Sequence, residues 1–214
     1  MVDDSELIEA VTFFQQAQSE KASSLDAAQK NVNTILASKL GCAARIAEQA
    51  IQQELAAQSS LQAEYKDFSS TALIVICKQF SFGTLCAAFA VGDGAIAVYQ
   101  QGQAVTLLGS ADSGEFAGQT RFLDAQSVTD AEIASRTRFV LVENLTALIL
   151  MSDGVSDPWF ETDAQLASIN KWDGLWSELS AADAVATEEK LLAWLDFWSS
   201  GNHDDRTIVL VRTC

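Results

Sequence analysis

Several aspartates of this 214-residue chain stand where apolar runs stop, the position from which a carboxylate projects beyond the end of a sheet. Asp153 follows the run Ala147 to Met151 and precedes Gly154, and Asp157 lies four residues on, on the same face if a helical turn begins there. Asp204 and Asp205 immediately precede the run Thr207 to Val211, and Asp93 stands between two runs in Gly92-Asp-Gly94. Each alone is also an ordinary turn residue, since aspartate favours turns and tolerates unusual backbone angles. Together, at the ends of strands in one sheet system, they can converge. Convergent carboxylates repel, and hard divalent cations such as Mg²⁺ or Mn²⁺, which prefer oxygen ligands and retain several waters, relieve that repulsion.

Other chemistries have less to stand on. His203 is the single imidazole and there is no G-x-S-x-G, so a Ser-His-Asp or Cys-His site would rest on that one residue. Neither G-x-G-x-x-G nor G-x-x-x-x-G-K-[ST] occurs. Cys42, Cys77, Cys86 and Cys214 form no C-x-x-C, and with one histidine no Cys/His zinc set can be assembled. Cys77 and Cys86 sit in strand-like apolar runs, where a free thiol acts as a small hydrophobe. His203, beside Asp204, reads as a loop histidine or as a general acid.

The elements that must position these acids follow from the apolar periodicity. Leu7, Ile8, Val11 and Phe14 predict a first helix, with Asp3, Asp4 and Ser5 able to cap it. A longer helix is predicted from about Leu25 to about Gln58, with a stripe of Val32, Ile35, Leu36, Leu40, Ala43, Ile46, Ala47 and Ile51. Gly41 within it marks a kink or a close helix-to-sheet contact. From Ser69 the period shortens. Strands are predicted over Ser70 to Cys77, Thr84 to Val91, Ala95 to Tyr99 and Ala104 to Leu108, read as an antiparallel meander with turns at Gly83, Gly92-Asp-Gly94 and Gln101-Gly102. After a loop with Gly109, Gly114 and Gly118, a hairpin is expected from Thr137 to Val142 and Thr146 to Met151, turning at Glu143-Asn144. Helical patterns between about Asp163 and Ser199 carry Trp172, Trp176, Leu191, Leu192, Leu195 and Trp198, and the strand Arg206 to Arg212 returns to the earlier sheet. Helices before, between and after antiparallel strands define an α+β class.

Bulk properties narrow the function. No linker or low-complexity stretch divides the chain, so 1–214 reads as one domain. With 29 acidic against 13 basic residues and a formal charge of −16, no basic surface is available to neutralise nucleic-acid phosphates. The acidic, amphipathic start MVDDSELIEA is no signal peptide, and no run approaches the roughly 18 apolar residues of a membrane span. A reducing, cytoplasmic setting is expected.

Four segments, in order, resemble successive motifs of the type 2C family of metal-dependent serine/threonine protein phosphatases. They are Asp67-Phe-Ser-Ser-Thr-Ala-Leu-Ile, Phe89-Ala-Val-Gly-Asp-Gly94, Met151-Ser-Asp-Gly-Val-Ser-Asp157 and His203-Asp-Asp-Arg-Thr-Ile-Val209. Gly114-Glu-Phe-Ala-Gly-Gln-Thr-Arg-Phe-Leu123 is similar to a segment of a bacterial subgroup. The resemblance implies a β-sandwich flanked by helices with a metal centre of two or more Mn²⁺ or Mg²⁺ ions. Asp153 and Asp204 match core metal ligands, and Asp93 and Asp157 match positions that in some members hold a further ion. Asp205 stands where many members have Asn. The implied reaction is hydrolysis of phosphoserine or phosphothreonine in a phosphoprotein by metal-activated water, without a phosphoenzyme. The resemblance covers about residues 65–212.

Complete members carry an acidic ligand and an Asp-Gly-x-Gly motif on strands before the long helices. Here the Asp-Gly pairs are Asp93-Gly94, Asp153-Gly154 and Asp173-Gly174, none followed by x-Gly. The N-terminal strands are therefore expected to be missing, metal binding and activity to be impaired, and uncovered sheet edges to favour self-association. The alternative is a non-catalytic phosphatase-like binding or regulatory module. Arg121, Arg136, Arg138, Arg206 and Arg212 are solvated surface residues or substitutes for the family's phosphate-binding residue.

Overall fold

The computed structural model describes residues 4–58, 64–109, 120–180, 184–196 and 204–212. Two helices come first, α1 (Ser5–Ser19) and α2 (Leu25–Ala57). A 3₁₀ turn, Tyr65–Phe68, leads to strands β1 (Ala72–Phe80), β2 (Gly83–Val91), β3 (Ala95–Gln100) and β4 (Ala104–Leu107). Helix α3 (Asp130–Arg136) precedes β5 (Arg138–Val142) and β6 (Ala147–Met151). Helices α4 (Asp153–Phe160), α5 (Asp163–Leu166), α6 (Ile169–Leu179) and α7 (Ala184–Leu195) follow, and β7 (Ile208–Arg212) closes the fold.

The strands form two antiparallel sheets among the described residues, β1-β2-β5 and β4-β3-β6-β7. Strand alternation sorts their side chains into three apolar layers. Leu85, Ala87, Phe89 and Val91 of β2 turn outward onto Leu7, Val11, Val32, Leu36 and Leu40 of α1 and α2. The intervening Cys86 and Ala88 turn inward and meet Ile96, Val98, Leu148 and Leu150 of the other sheet. Ala95, Ala97, Tyr99, Ala147, Ile149 and Met151 face the opposite way, onto Val155, Phe160, Trp172, Leu175 and Leu179 of α4 and α6. The result is a helix–sheet–sheet–helix sandwich, as expected. The final strand does return to the earlier sheet, pairing with β6 from Ala147↔Arg212 to Met151↔Ile208.

Two connections differ from the expectation. The first four strands are not one meander, because β2 lies in one sheet and β3 in the other. The chain crosses at Gly92-Asp93-Gly94, where Gly92 has φ +113 and a Cβ on it would meet Thr71 Cγ2 at 2.4 Å. Nor do β5 and β6 form a hairpin, since they too belong to different sheets. Leu145, 7% exposed, anchors that second crossing by inserting between the sheets. Apolar alternation reports which residues are inside and is silent on which sheet a strand joins.

The helices show smaller shifts. Ile8 and Ile46 are exposed, and the buried stripe of α2 runs through Ala28, Val32, Ile35, Leu36, Leu40, Ala44 and Glu48. Gly41 makes a close helix-to-helix contact: a Cβ there would lie 2.7 Å from Ile133 Cδ1 of α3. Asp4 caps no backbone amide of α1 and instead pairs with Lys39 at 3.2 Å and Lys78 at 3.0 Å. Trp198 and Asp3 lie outside the described residues. No helix among those described is long and apolar enough to cross a membrane.

Candidate metal centre

The acids singled out in the sequence gather at one edge of the sandwich, and strand register is the cause. The ladder between β3 and β6 ends at Ala95↔Met151, and the ladder between β6 and β7 ends at Met151↔Ile208. Asp93 stands two residues before Ala95, Asp153 two after Met151 and Asp204 four before Ile208. Three neighbouring strand ends thus present their carboxylates to the same side. Asp157 joins them from the next turn of α4, the helix that Asp153 begins.

Backbone contacts fix this edge. Ser152 donates its amide to the Thr207 carbonyl at 3.0 Å and its hydroxyl to the Asp205 carbonyl at 3.1 Å. Thr207 returns its amide to the Ser152 hydroxyl at 3.0 Å. A Cβ on Gly154 would meet the Asp205 carbonyl oxygen at 2.4 Å, so only glycine lets α4 start this close to the Asp204-Asp205 segment. A Cβ on Gly94 would lie 2.7 Å from the Met151 carbonyl oxygen.

The electrostatics record the convergence. Burial pushes the Asp153 carboxyl up from its ordinary value; the Gly154 amide opposes this at 2.8 Å, and Asp93, Asp204 and Asp157 add to the rise. Asp157 is also raised, first by burial, against a hydrogen bond from Ser156, with Asp93, Asp163 and Asp204 contributing. These are carboxylates on separate segments that disfavour one another's charge. The Asp204 carboxylate accepts the Asp205 amide at 2.9 Å, and Asp93 accepts a short hydrogen bond from the Thr120 hydroxyl.

A cleft of about 470 Å³ opens beside this edge, lined by Asp93, Asp157, Glu161 and Asp163 together with Phe160 and Leu166. Asp163 and Glu161 of this cleft, and Thr120 beside it, do not stand out in the sequence. Asp163 had a legible signal, because Thr162 accepts the Gln165 amide and caps the short α5, which places the following acid in its first turn. Glu161 ends α4 in the left-handed region, at φ 54, a conformation no composition rule assigns to glutamate.

Other singled-out residues are placed elsewhere. Asp67 closes a capping box with Glu64, and Asp173 accepts the Tyr99 hydroxyl at 2.5 Å and the Gly102 amide at 3.0 Å. Arg136 binds Glu132, Arg138 binds the carbonyls of Ser135 and Thr137, Arg206 the Leu195 carbonyl and Arg212 the Thr187 hydroxyl. Arg121 directly follows Thr120, the residue that reaches Asp93. His203 and residues 114–119 of the glycine-rich segment lie outside the described residues.

A hard cation suits these donors in kind, since all are carboxylate oxygens that disfavour one another's charge. Among the described residues no three His, Cys, Asp or Glu side chains form a ready ligand group for one ion. Mg²⁺ is commonly held through one or two carboxylates with its remaining positions filled by water.

Such a sandwich with an acid-lined edge defines the class, and the sequence places the chain within it. This chain belongs to the protein phosphatase 2C family, whose model matches residues 7–196. Solved structures with similar folds include an arginine-to-glutamate variant of a bacterial serine phosphatase, at 15% identity and TM-score 0.41, covering 87% of this chain and 64% of that one. Serine/threonine phosphatase Stp1 from Staphylococcus aureus aligns at 17% identity and TM-score 0.42, covering 92% and 69%. The Mycobacterium tuberculosis serine/threonine phosphatase PstP/Ppp aligns at 14% identity and TM-score 0.43, covering 95% and 78%. The chain thus spans just under two thirds of the first of these. No curated protein sequence matches it.

Proposed function

We propose that this chain is a divalent-metal-dependent phosphoprotein phosphatase acting on phosphoserine or phosphothreonine. The observation that carries the reading is the mutual influence of Asp93, Asp153, Asp157 and Asp204 at three adjoining strand ends, within a chain that belongs to this family. Asp153 and Asp204 hold the core Mn²⁺ or Mg²⁺, and Asp93 and Asp157, facing the acidic cleft, hold a further ion. When bound, such ions lower the pKa of a water and neutralise charge on phosphoryl oxygens. The protein's own residues position: Ser152 straps α4 to the Asp205 and Thr207 backbone, and Thr120 orients Asp93. Arg121, next to Thr120 in the chain, is the arginine proposed to meet the substrate phosphate.

A cleft lined by four carboxylates repels a phosphorylated peptide until cations neutralise it. Substrate binding therefore depends on metal, not only catalysis. A second reading, a non-catalytic phosphatase-like module, is favoured by one observation: no three donors among the described residues form a ready set for one ion.

Hydrolysis of a phosphothreonine peptide with and without Mn²⁺, in the parent chain and in Asp153→Asn, decides between them. Metal-dependent release of phosphate that Asp153→Asn abolishes supports the phosphatase. A folded chain that binds the phosphopeptide without hydrolysing it supports the module.

A further inference from the structure

In the first sheet, on the face turned toward the second, two cysteines stand directly opposite each other. Cys77 of β1 and Cys86 of β2 are register partners. The hairpin between these strands turns through two residues, Ser81 and Phe82, so the flanking pair Phe80↔Gly83 is the hydrogen-bonded pair that closes it. Hydrogen-bonded and non-hydrogen-bonded pairs alternate from there, through Gln79↔Thr84 and Lys78↔Leu85, which makes Cys77↔Cys86 a non-hydrogen-bonded pair. At such pairs the Cα atoms approach to about 4.5 Å and the side chains lie closest, just inside the lower end of the disulfide range of about 4.4–6.8 Å. Both cysteines are free.

Their accessibility differs. Cys86 is fully buried, whereas Cys77, on the edge strand, is exposed. Cys77 lines a cleft of about 510 Å³ with Cys42, Lys39, Lys78 and Asp4. The lysines belong to the helix-facing side, since Lys78 is the partner of Leu85, whereas Cys77 shares the inter-sheet face of Cys86; a small disulfide reaches exposed Cys77 at the sheet edge and is excluded from buried Cys86.

We propose that Cys77 and Cys86 form a redox site that a low-molecular-weight disulfide closes to a cross-strand bridge. The Cys77 thiolate attacks one sulfur of the small disulfide; its S–S bond breaks and one small thiolate leaves, taking the proton Cys77 gave up. The Cys86 thiol then loses its proton and attacks Cys77 Sγ, expelling the second small thiolate, which carries that proton away. The two cysteines are oxidised by two electrons, and the small disulfide is reduced to two thiols. Burial raises both cysteine thiols, Cys86 to about 12, so closure is slow at neutral pH and accelerates about tenfold per pH unit while thiolate is scarce. Cys42 of α2, on the helix side of the sheet, is the other exposed free thiol among the described residues.

The test is incubation of the full chain with excess glutathione disulfide across a pH series, acid quenching, alkylation of remaining thiols and peptide mapping. The wild type is expected to lose two alkylatable thiols to a bridge joining Cys77 and Cys86, faster at higher pH. Cys42→Ser should behave identically, and Cys86→Ala should stop at a mixed disulfide on Cys77. A wild-type chain that accumulates a persistent mixed disulfide on Cys77, bridges Cys77 to Cys42, or leaves Cys77 reduced while Cys42 reacts would overturn the proposal. The wild type and Cys42→Ser alone decide it, so it does not depend on how Cys86→Ala folds.

Discussion

Ala95 faces Met151 as the last register pair between β3 and β6, and two residues beyond it along each strand stand Asp93 and Asp153. Gly94 tightens this relationship, because a Cβ there would lie 2.7 Å from the Met151 carbonyl oxygen. Gly94→Ala is therefore expected to push the two strand ends apart. Denaturant unfolding should show a loss of about 1–3 kcal/mol, typical of overpacking at a site that cannot yield. Mn²⁺ affinity should fall with it.

Gly154 and Gly174 offer a matched comparison within two helices. At Gly154 an added Cβ meets the Asp205 carbonyl oxygen at 2.4 Å, whereas at Gly174, inside α6, nothing lies within 4 Å. Gly174→Ala should stabilise the chain by about 0.5–1 kcal/mol through helix propensity. Gly154→Ala should destabilise it and detach α4 from the Asp204–Thr207 segment. Thermal melts of the two variants read both signs, and destabilisation by Gly174→Ala would contradict the open space around it.

The carboxylate cluster predicts a pH dependence of definite sign. Asp153 and Asp157 are raised above the ordinary aspartate value of 3.8, so the folded chain holds their protons more tightly than the unfolded one. That stability is full below the ordinary value and lost as pH rises through the raised values. Asp153→Asn removes one repelling charge at neutral pH and nothing in acid. Without metal, its melting temperature should match the parent's near pH 3 and exceed it by on the order of one or two degrees at pH 7, as a surface-scale change in a chain of this size implies. With saturating Mn²⁺ the order should invert, since only the parent gains the binding energy of the ion.

Glu161 holds a left-handed conformation at the end of α4 while its side chain lines the acidic cleft. A non-glycine residue there costs on the order of 1 kcal/mol. Glu161→Gly should recover most of that in a chemical melt, while Glu161→Gln, which keeps the backbone cost, should not. Both remove one charge from the cleft, so the difference between them isolates the backbone.

The helices, the strands and the acids were legible in the sequence because periodicity and chain breaks report burial directly. Val32, Leu36 and Leu40 on α2 and Phe89 on β2 are buried as the pattern requires. Sheet membership was not legible, since Ala87 and Ala97 are equally apolar and lie in different sheets. Only the backbone at Gly92 and the inserted Leu145 separate a crossing from a turn. At the acid edge, Asp93, Asp153 and Asp204 are legible from their positions at the ends of apolar runs, and Asp157 from its spacing to Asp153. Thr120 was not, because its role depends on a hydrogen bond to a residue 27 positions away. The pairing of Cys77 with Cys86 needs the register, which the spacing of two cysteines does not supply.

The most direct test of the metal centre is a calorimetric titration of the chain with Mn²⁺, repeated for Asp153→Asn and for Asp173→Asn. Asp173 shares the same residue type, but its carboxylate is engaged with Tyr99 and Gly102 on another part of the fold. Saturable Mn²⁺ binding that Asp153→Asn abolishes or weakens at least tenfold, and that Asp173→Asn leaves unchanged, is the predicted result. Absence of saturable binding in the folded parent chain, or equal binding in all three proteins, would contradict it.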